Sequence, residues 1–456
     1  MSDLAELTEQ ATAACERTLA HVRGRAEAVV TAVFGTSSLT RFANSRIHQN
    51  VTEDLAAVTL TVAVDGKVAR AQTTRIDDGG SEALVERALA AAALRPADPE
   101  FPGFAPPADA PAVDHWDDDT AGATPDRRAE IVAAFVEAGE GLETAGYCST
   151  DAEIHALAST SGQRAVSRAT TAQLDGIHRT SPSADGAESD PADGYAQATS
   201  VRLADLDGAA CGARAAAKAG AGRQPALLPP GDYEVVLEPR AVAAALLFPN
   251  YLGFNGKAHA DGTSFVRLGE SQWDAAVDIW DDATDPRSLG IAFDAEGTPK
   301  RRLDLVRGGV SAGLTHDRRS ARLAGVDPTG HSVGSEAFGG VATNLFLGGG
   351  DQPPDQLVAQ VERGLLVTDL WYNRVLDPKT QVVTGLTRNG LFLVEEGRIA
   401  GPVQNLRYTQ SIVAGFGPGK VLGLGDDAQL VGSEGGIMHV PSVRLASWAF
   451  TGNARG

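Results

Sequence analysis

Cysteine is scarce in this sequence. Three occur in 456 residues, Cys15, Cys148 and Cys211, odd in number and far apart. They form no CxxC pair, so neither a disulfide framework nor a zinc knuckle organises the chain. Long apolar runs are also missing, and no window reaches the length a bilayer-spanning helix needs. The amino-terminal stretch MSDLAELTEQATAACERTLAHVRGRAEAVV lacks a basic start with an apolar core behind it. It reads as an amphipathic helix, not a signal peptide, and the expected compartment is the cytoplasm. Positive charge is short as well. The 39 Lys and Arg against 59 Asp and Glu leave a formal charge of -20 and a pI near 4.8. Such a surface repels phosphate backbones and anionic lipid. The only basic stretches, KRR at 300–302 and HDRRSAR at 316–322, are short and read as solvated surface. Neither nucleic acid nor membrane is an expected partner.

The chain is long enough for two or three domains with their own cores. A helix is expected over 3–34, followed by alternation over 36–75. There AVTLTVAV and KVARAQTT flank Asp65-Gly66, a hairpin signal. A second helix is expected over 81–94, capped by Ser81. Residues 95–125 hold seven prolines and many Asp and read as an extended connector lying over a surface. A helix over 126–145, strands at EIHALAST and RAVSRATTAQLDG, a Ser/Asp/Gly/Pro-rich loop over 179–194 and an Ala-rich helix over 203–222 follow. Pro225 to Pro230 mark a boundary, beyond which strands and glycine dominate. The expected fold class is α+β: an N-terminal α/β domain with antiparallel hairpins and helices over 1–224, and a mostly antiparallel β domain over 225–456.

Few local motifs carry chemistry. GVSAG at 309–313 fits the spacing of a nucleophile elbow, but LTHDRRSARLAG after it starts poorly as a helix, so a β-turn is expected instead. The Gly-rich segments LGGGD (347–351) and FGPGKVLGLGDD (416–427) fit neither phosphate-loop nor dinucleotide patterns and read as turns between strands. No two of the nine histidines share a metal-binding helical spacing. His259 with Asp261, and His331 near Glu336, are the local clusters, each more commonly a loop contact than a site.

Several segments, in order along the chain, resemble one family. They are RFANSRIHQNVTEDLAAVTLTVAVDGKVA, LVRGGVSAGLTHDRRSARLAGVDPTGHSVGS, GGVATNLFLGGGD and GLLVTDLWYNRVLDPKTQVVTGLTRNGLFLVEEGRIAGPVQN. Together they are similar to the TldD/PmbA family, sometimes labelled modulators of DNA gyrase. TldD-like members of that family carry HExxxH on a helix and a later cysteine, which bind zinc. TldE-like members, also called PmbA, lack these and pair with a TldD-like subunit to form a peptidase. In this chain PRAVAAALLF stands where the zinc helix would. Phe248 aligns with the first His, Pro249 with the Glu, Gly253 with the second His, and the later cysteine falls near Ser433. No cysteine follows Cys211.

A zinc peptidase needs imidazole lone pairs on the metal and a carboxylate to take a proton from bound water. Phe, Pro and Gly supply neither, and Pro249 should end or kink the helix. His259, Asp261 and His439 are the alternative ligands that remain. The resemblance thus implies no catalytic residue, metal ligand or cofactor in this chain, with zinc in a TldD-like partner subunit and a peptide as substrate. Its candidate substrate-binding residues are Asn250, Asn255, His259, Asp261 and Ser433, each of which is otherwise an ordinary loop residue. Two other readings compete. One is a stand-alone homodimeric peptide-binding or scaffold protein without peptidase activity. The other is a hydrolase acting through Ser311 or an unrecognised metal site.

Overall fold

The computed structural model describes residues 4–181, 191–433 and 436–454. The architecture is α+β, with hairpins and helices first and a β-rich half after them. Helix α1, Leu4–Val22, ends well before residue 34. Beyond it EAVVTAVF is rich in β-branched side chains, which lose rotamer freedom in a helix and fit a pleated surface. It forms strand β1, Glu27–Ala43, paired with β2, Arg46–Val64. Asp65 and Gly66 then turn the chain into β3, Lys67–Thr73, with φ of 49° and 73°. Positive φ at both positions is the type I′ signature that matches strand twist. Helix α2, Asp78–Ala93, is capped by Asp77, whose side chain accepts from the Gly80 amide. Ser81, the cap expected from sequence, is buried against Thr18 of α1.

Residues 95–117 contain no helix or extended strand and are held down by specific bonds. Gln163 bonds the Ala108 backbone in both directions. Arg318 and Arg322 donate to the carbonyls of Gly103 and Phe101, and Arg319 pairs with Asp98. The basic run at 316–322 is therefore a clasp for the connector. Helices α3, Asp118–Ala121, and α4, Pro125–Glu137, follow; α4 stops eight residues before the expected 145 because Gly139, Glu140 and Gly141 break it. Strands β4, Glu143–Ser159, β5, Arg164–Arg179, and β6, Asp193–Ser200, then precede helix α5, Gly208–Ala221. Most of the loop expected over 179–194 lies outside the described residues.

These six strands form one antiparallel sheet in the order β3-β2-β1-β4-β5-β6. Side chains alternate across it. Val30, Ala32 and Phe34 pack under α1 and α2, whereas Thr31 and Val33 face the second half of the chain.

That half opens with β7, Gly231–Leu237, and helix α6, Pro239–Phe248, then a π-turn over Pro249–Gly253 and helix α7, Gly256–Ala260. Strands β8, Ile279–Asp281, β9, Leu303–Arg307, and β10, Val310–Ser311, helix α8, Arg318–Ala324, and strand β11, Asn344–Leu347, come next. The remaining strands are β12, Arg363–Asp377, β13, Val382–Glu395, β14, Arg398–Pro402, β15, Leu406–Ser411, β16, Val421–Leu424, β17, Gln429–Ser433, β18, Gly436–Val440, and β19, Val443–Asn453. One sheet runs β10-β9-β8-β11-β18-β17. In the other, β12, β7, β19, β15 and β13 close into a ring, because β12 also pairs with β13. Leu365, Val367, Tyr408 and Trp448 belong to the core that this ring and α6 share. The GVSAG segment is a hairpin: Gly308 and Gly309 turn the chain at positive φ, and the buried Ser311 hydroxyl donates to Gln272. No helix follows it directly, so the elbow geometry is absent.

Candidate functional site

Helix α6 starts with Pro239 in the first turn, where the missing amide hydrogen has no helical partner to lose. Pro249 ends it, as its ring requires. The Phe254 amide then donates to the Pro249 carbonyl at 2.8 Å, closing the wide π-turn. The positions aligned with the zinc motif are apolar and packed. Phe248 rests half-buried on the core, and Pro249 and Gly253 are buried. A Cβ on Gly253 would fall 2.1 Å from the Phe265 ring. That ring is locked edge-on against Phe254 and Trp273, at 5.7 and 5.8 Å; burying side chains of this size stabilises by about 2–3 kcal/mol each. There is no volume here for an imidazole. Among the described residues, no group of three or more His, Cys, Asp or Glu is placed to hold a metal ion. The residues present do not fit the zinc of the motif.

The five candidate residues have different surroundings. Asn250 is wholly buried, and its amide clamps the Ala342 backbone: Nδ2 donates to the carbonyl at 2.8 Å and Oδ1 accepts from the amide at 3.2 Å. Asn255 caps α7 by accepting from the Lys257 and Ala258 amides, and donates to the carbonyls of Tyr251 and Phe338. His259 and Asp261 are exposed at the end of α7, where Asp261 pairs with Lys257. Ser433 ends β17, its backbone opposite Gly436. The structure thus joins the first four along one turn-and-helix segment and leaves Ser433 on a separate strand.

Asn250 leads to a larger feature. Ala342 precedes Thr343 and Asn344, which line a cleft of 620 Å³ between the N-terminal sheet and the second half. Behind its floor the fully buried Asp281 accepts from two lining residues, His331 Nε2 at 3.0 Å and the Asn344 amide at 2.5 Å. Lys300 donates to Thr343 at 2.7 Å. Burial alone would raise the Asp281 carboxyl, but the Lys300 charge and the bonds from His331 and Asn344 outweigh it and bring it down to about 2. It is therefore an anion balancing a buried ammonium. His439 is pushed down to about 4, first by burial and then by the Arg287 charge, so its imidazole is neutral. Its ring lies 5.1 Å from Phe346, which stacks on Trp280 at 5.3 Å. The hydroxyls of Ser288 and Thr343 are engaged with Asn344 and Lys300. The floor offers an ammonium, an amide and neutral imidazole to a ligand, an arrangement suited to holding one.

Sequence reasoning missed Asp281, Lys300 and Asn344. It set His331 beside Glu336, but Glu336 is exposed and faces Arg95 and Arg319. The true partner of His331 is 50 positions earlier, and only the carboxylates ending the strand in IWDD hinted at it.

Residues 230–452 match the family described as the PmbA/TldA metallopeptidase C-terminal domain. This C-terminal half belongs to the TldD/PmbA family. A TldD homolog described as a metalloprotease, from Haemophilus influenzae, is 28% identical over 143 residues, 30% of this chain and 29% of that protein. One of the same description from Buchnera aphidicola is 25% identical over 160 residues, 34% of this chain and 32% of that protein. The matched part spans less than a third of either relative. The likeness in fold extends over nearly the whole chain. TldE from Thermococcus kodakarensis superposes with a TM-score of 0.85 at 16% identity, over 96% of this chain and 99% of that one. A Thermotoga maritima protein described as a candidate modulator of a DNA gyrase gives 0.84 at 19% identity, over 96% and 99%. At such identities the likeness shows the fold alone. No helix among the described residues is long and apolar enough to cross a membrane.

Proposed function

We propose that this chain is the metal-free subunit of a TldD/TldE-type two-subunit peptidase, which helps hold unfolded or extended peptides for cleavage by a zinc-bearing partner. The observation that carries the reading is the packed Phe248–Gly253 turn, where Phe265 fills the space of a second metal-binding imidazole. A chain with a TldE-like fold and no such ligands must obtain its bond-breaking chemistry from another polypeptide. The cleft supports a binding share. Lys300 and Asn344 present polar groups, and β17, the end strand of its sheet, borders the cleft through Leu430. Backbone pairing to such an edge is tolerant of peptide sequence.

The test is co-expression with an HExxxH-bearing TldD-like protein, followed by co-purification and a casein-peptide assay. The two chains should co-purify and cleave, and this chain alone should be inert. Cleavage by this chain alone would contradict the reading. So would a homodimer that binds peptide and ignores the zinc subunit.

A further inference from the structure

At the end of α6 opposite the π-turn lies a second cavity, of 460 Å³, within the range of about 300–1,000 Å³ typical of small-molecule sites. Two of its lining residues carry buried polar atoms without a partner. Gln197, on β6, is 7% exposed. Its Oε1 accepts from Tyr195 at 2.8 Å and from Arg240 at 3.2 Å. A guanidinium only donates, so the oxygen must face Arg240. The amide NH2 is left with no hydrogen bond. Thr368, on β12, is 1% exposed, and its hydroxyl is equally unpartnered. Native folds rarely leave such groups unsatisfied, because each forfeits its hydration without replacement.

The charges around these two groups indicate what would satisfy them. Lys218 is paired with Glu238 at 2.5 Å, and Asp427 is engaged with Ser442. Arg214 and Arg398, both exposed and lining the cavity, enter no ion pair among the described residues. An amide donor, a hydroxyl and two unpaired guanidiniums call for an anionic acceptor. Asp355, on the same lining and in no ion pair among the described residues, opposes a dianion and suits the ammonium end of a zwitterion. We propose that this cavity binds a free carboxylate, carried by an amino acid or by the end of a short peptide. The proposal does not depend on the two-subunit reading and is tested on this chain by itself.

The experiment is calorimetric titration of the full chain with Ala-Ala, alanine, Ala-Ala amide and inorganic phosphate. Ala-Ala or alanine should saturate at one equivalent with a Kd of about 1 mM or tighter. Alanine binding as well as Ala-Ala assigns the site to amino acids, and binding of Ala-Ala alone assigns it to peptide ends. The amide should bind at least about tenfold more weakly. Gln197→Glu keeps an oxygen towards Arg240 but replaces the donor with a repelling carboxylate oxygen. It and Thr368→Val should each weaken binding about tenfold. Thr368→Val should do so without lowering the thermal midpoint, since its hydroxyl has no bond to lose. Equal binding of acid and amide, tighter binding of phosphate, affinities unchanged in both variants, or no binding of either carboxylate would each overturn the proposal.

Discussion

Asn250 was singled out from sequence by its place beside the missing zinc motif, and what it touches is the protein's own backbone. Its amide holds Ala342 from both sides, so it sets the position of Thr343 and Asn344 at the cleft. Asn250→Asp removes the donor and turns a carboxylate oxygen towards the Ala342 carbonyl. Loss of about 2–3 kcal/mol is expected in urea unfolding; an unchanged midpoint would show that the clamp does not hold the segment. Glu296 offers a test with a sign. Burial, then the Asp294 carboxylate, push its carboxyl up to about 8 from an ordinary 4.5. The folded chain therefore keeps this proton after the unfolded chain has lost it. Its contribution to stability is complete below about 4.5 and is lost as pH rises through about 8. The thermal midpoint of the wild type should fall across that window and that of Glu296→Gln should fall less. Parallel profiles would contradict the assignment. Neither effect was legible in the sequence, because both depend on neighbours brought together by folding.

Elements were more legible where local chemistry decides. The Asp65-Gly66 turn and the proline-rich connector stand where the sequence puts them, since φ preference and the missing proline amide act locally. Helices α1 and α4 were overextended, because Ala-rich runs satisfy helical periodicity up to the residue where β-branched or glycine-rich sequence takes over. The fastening of the connector was hidden by distance: Arg319 meets Asp98 across 221 positions. Arg319→Ala removes its bridges to Asp98, Glu100 and Glu336. Limited proteolysis within 95–117 should then be several-fold faster, with the thermal midpoint lowered only slightly, as expected for partly exposed ion pairs. Unchanged cleavage rates would mean that Arg318, Arg322 and Gln163 suffice.

For the whole molecule, the family resemblance and the mixed fold could be read from ordered segments, and so could the side chains at Phe248, Pro249 and Gly253, because a missing lone pair is a property of residue type. The two cavities could not. The cleft needs Lys300, His331 and Asn344 from three separated segments, and the second cavity needs β6, α6 and β12. The central claim is that α6 and its π-turn form a zinc helix without its zinc. Metal analysis of the purified chain, with and without an HExxxH-bearing partner, tests it most directly. The account expects well under about one zinc per chain for this chain alone and about one per complex. Stoichiometric zinc in this chain by itself, lost when its own His or Asp side chains are replaced, would contradict it.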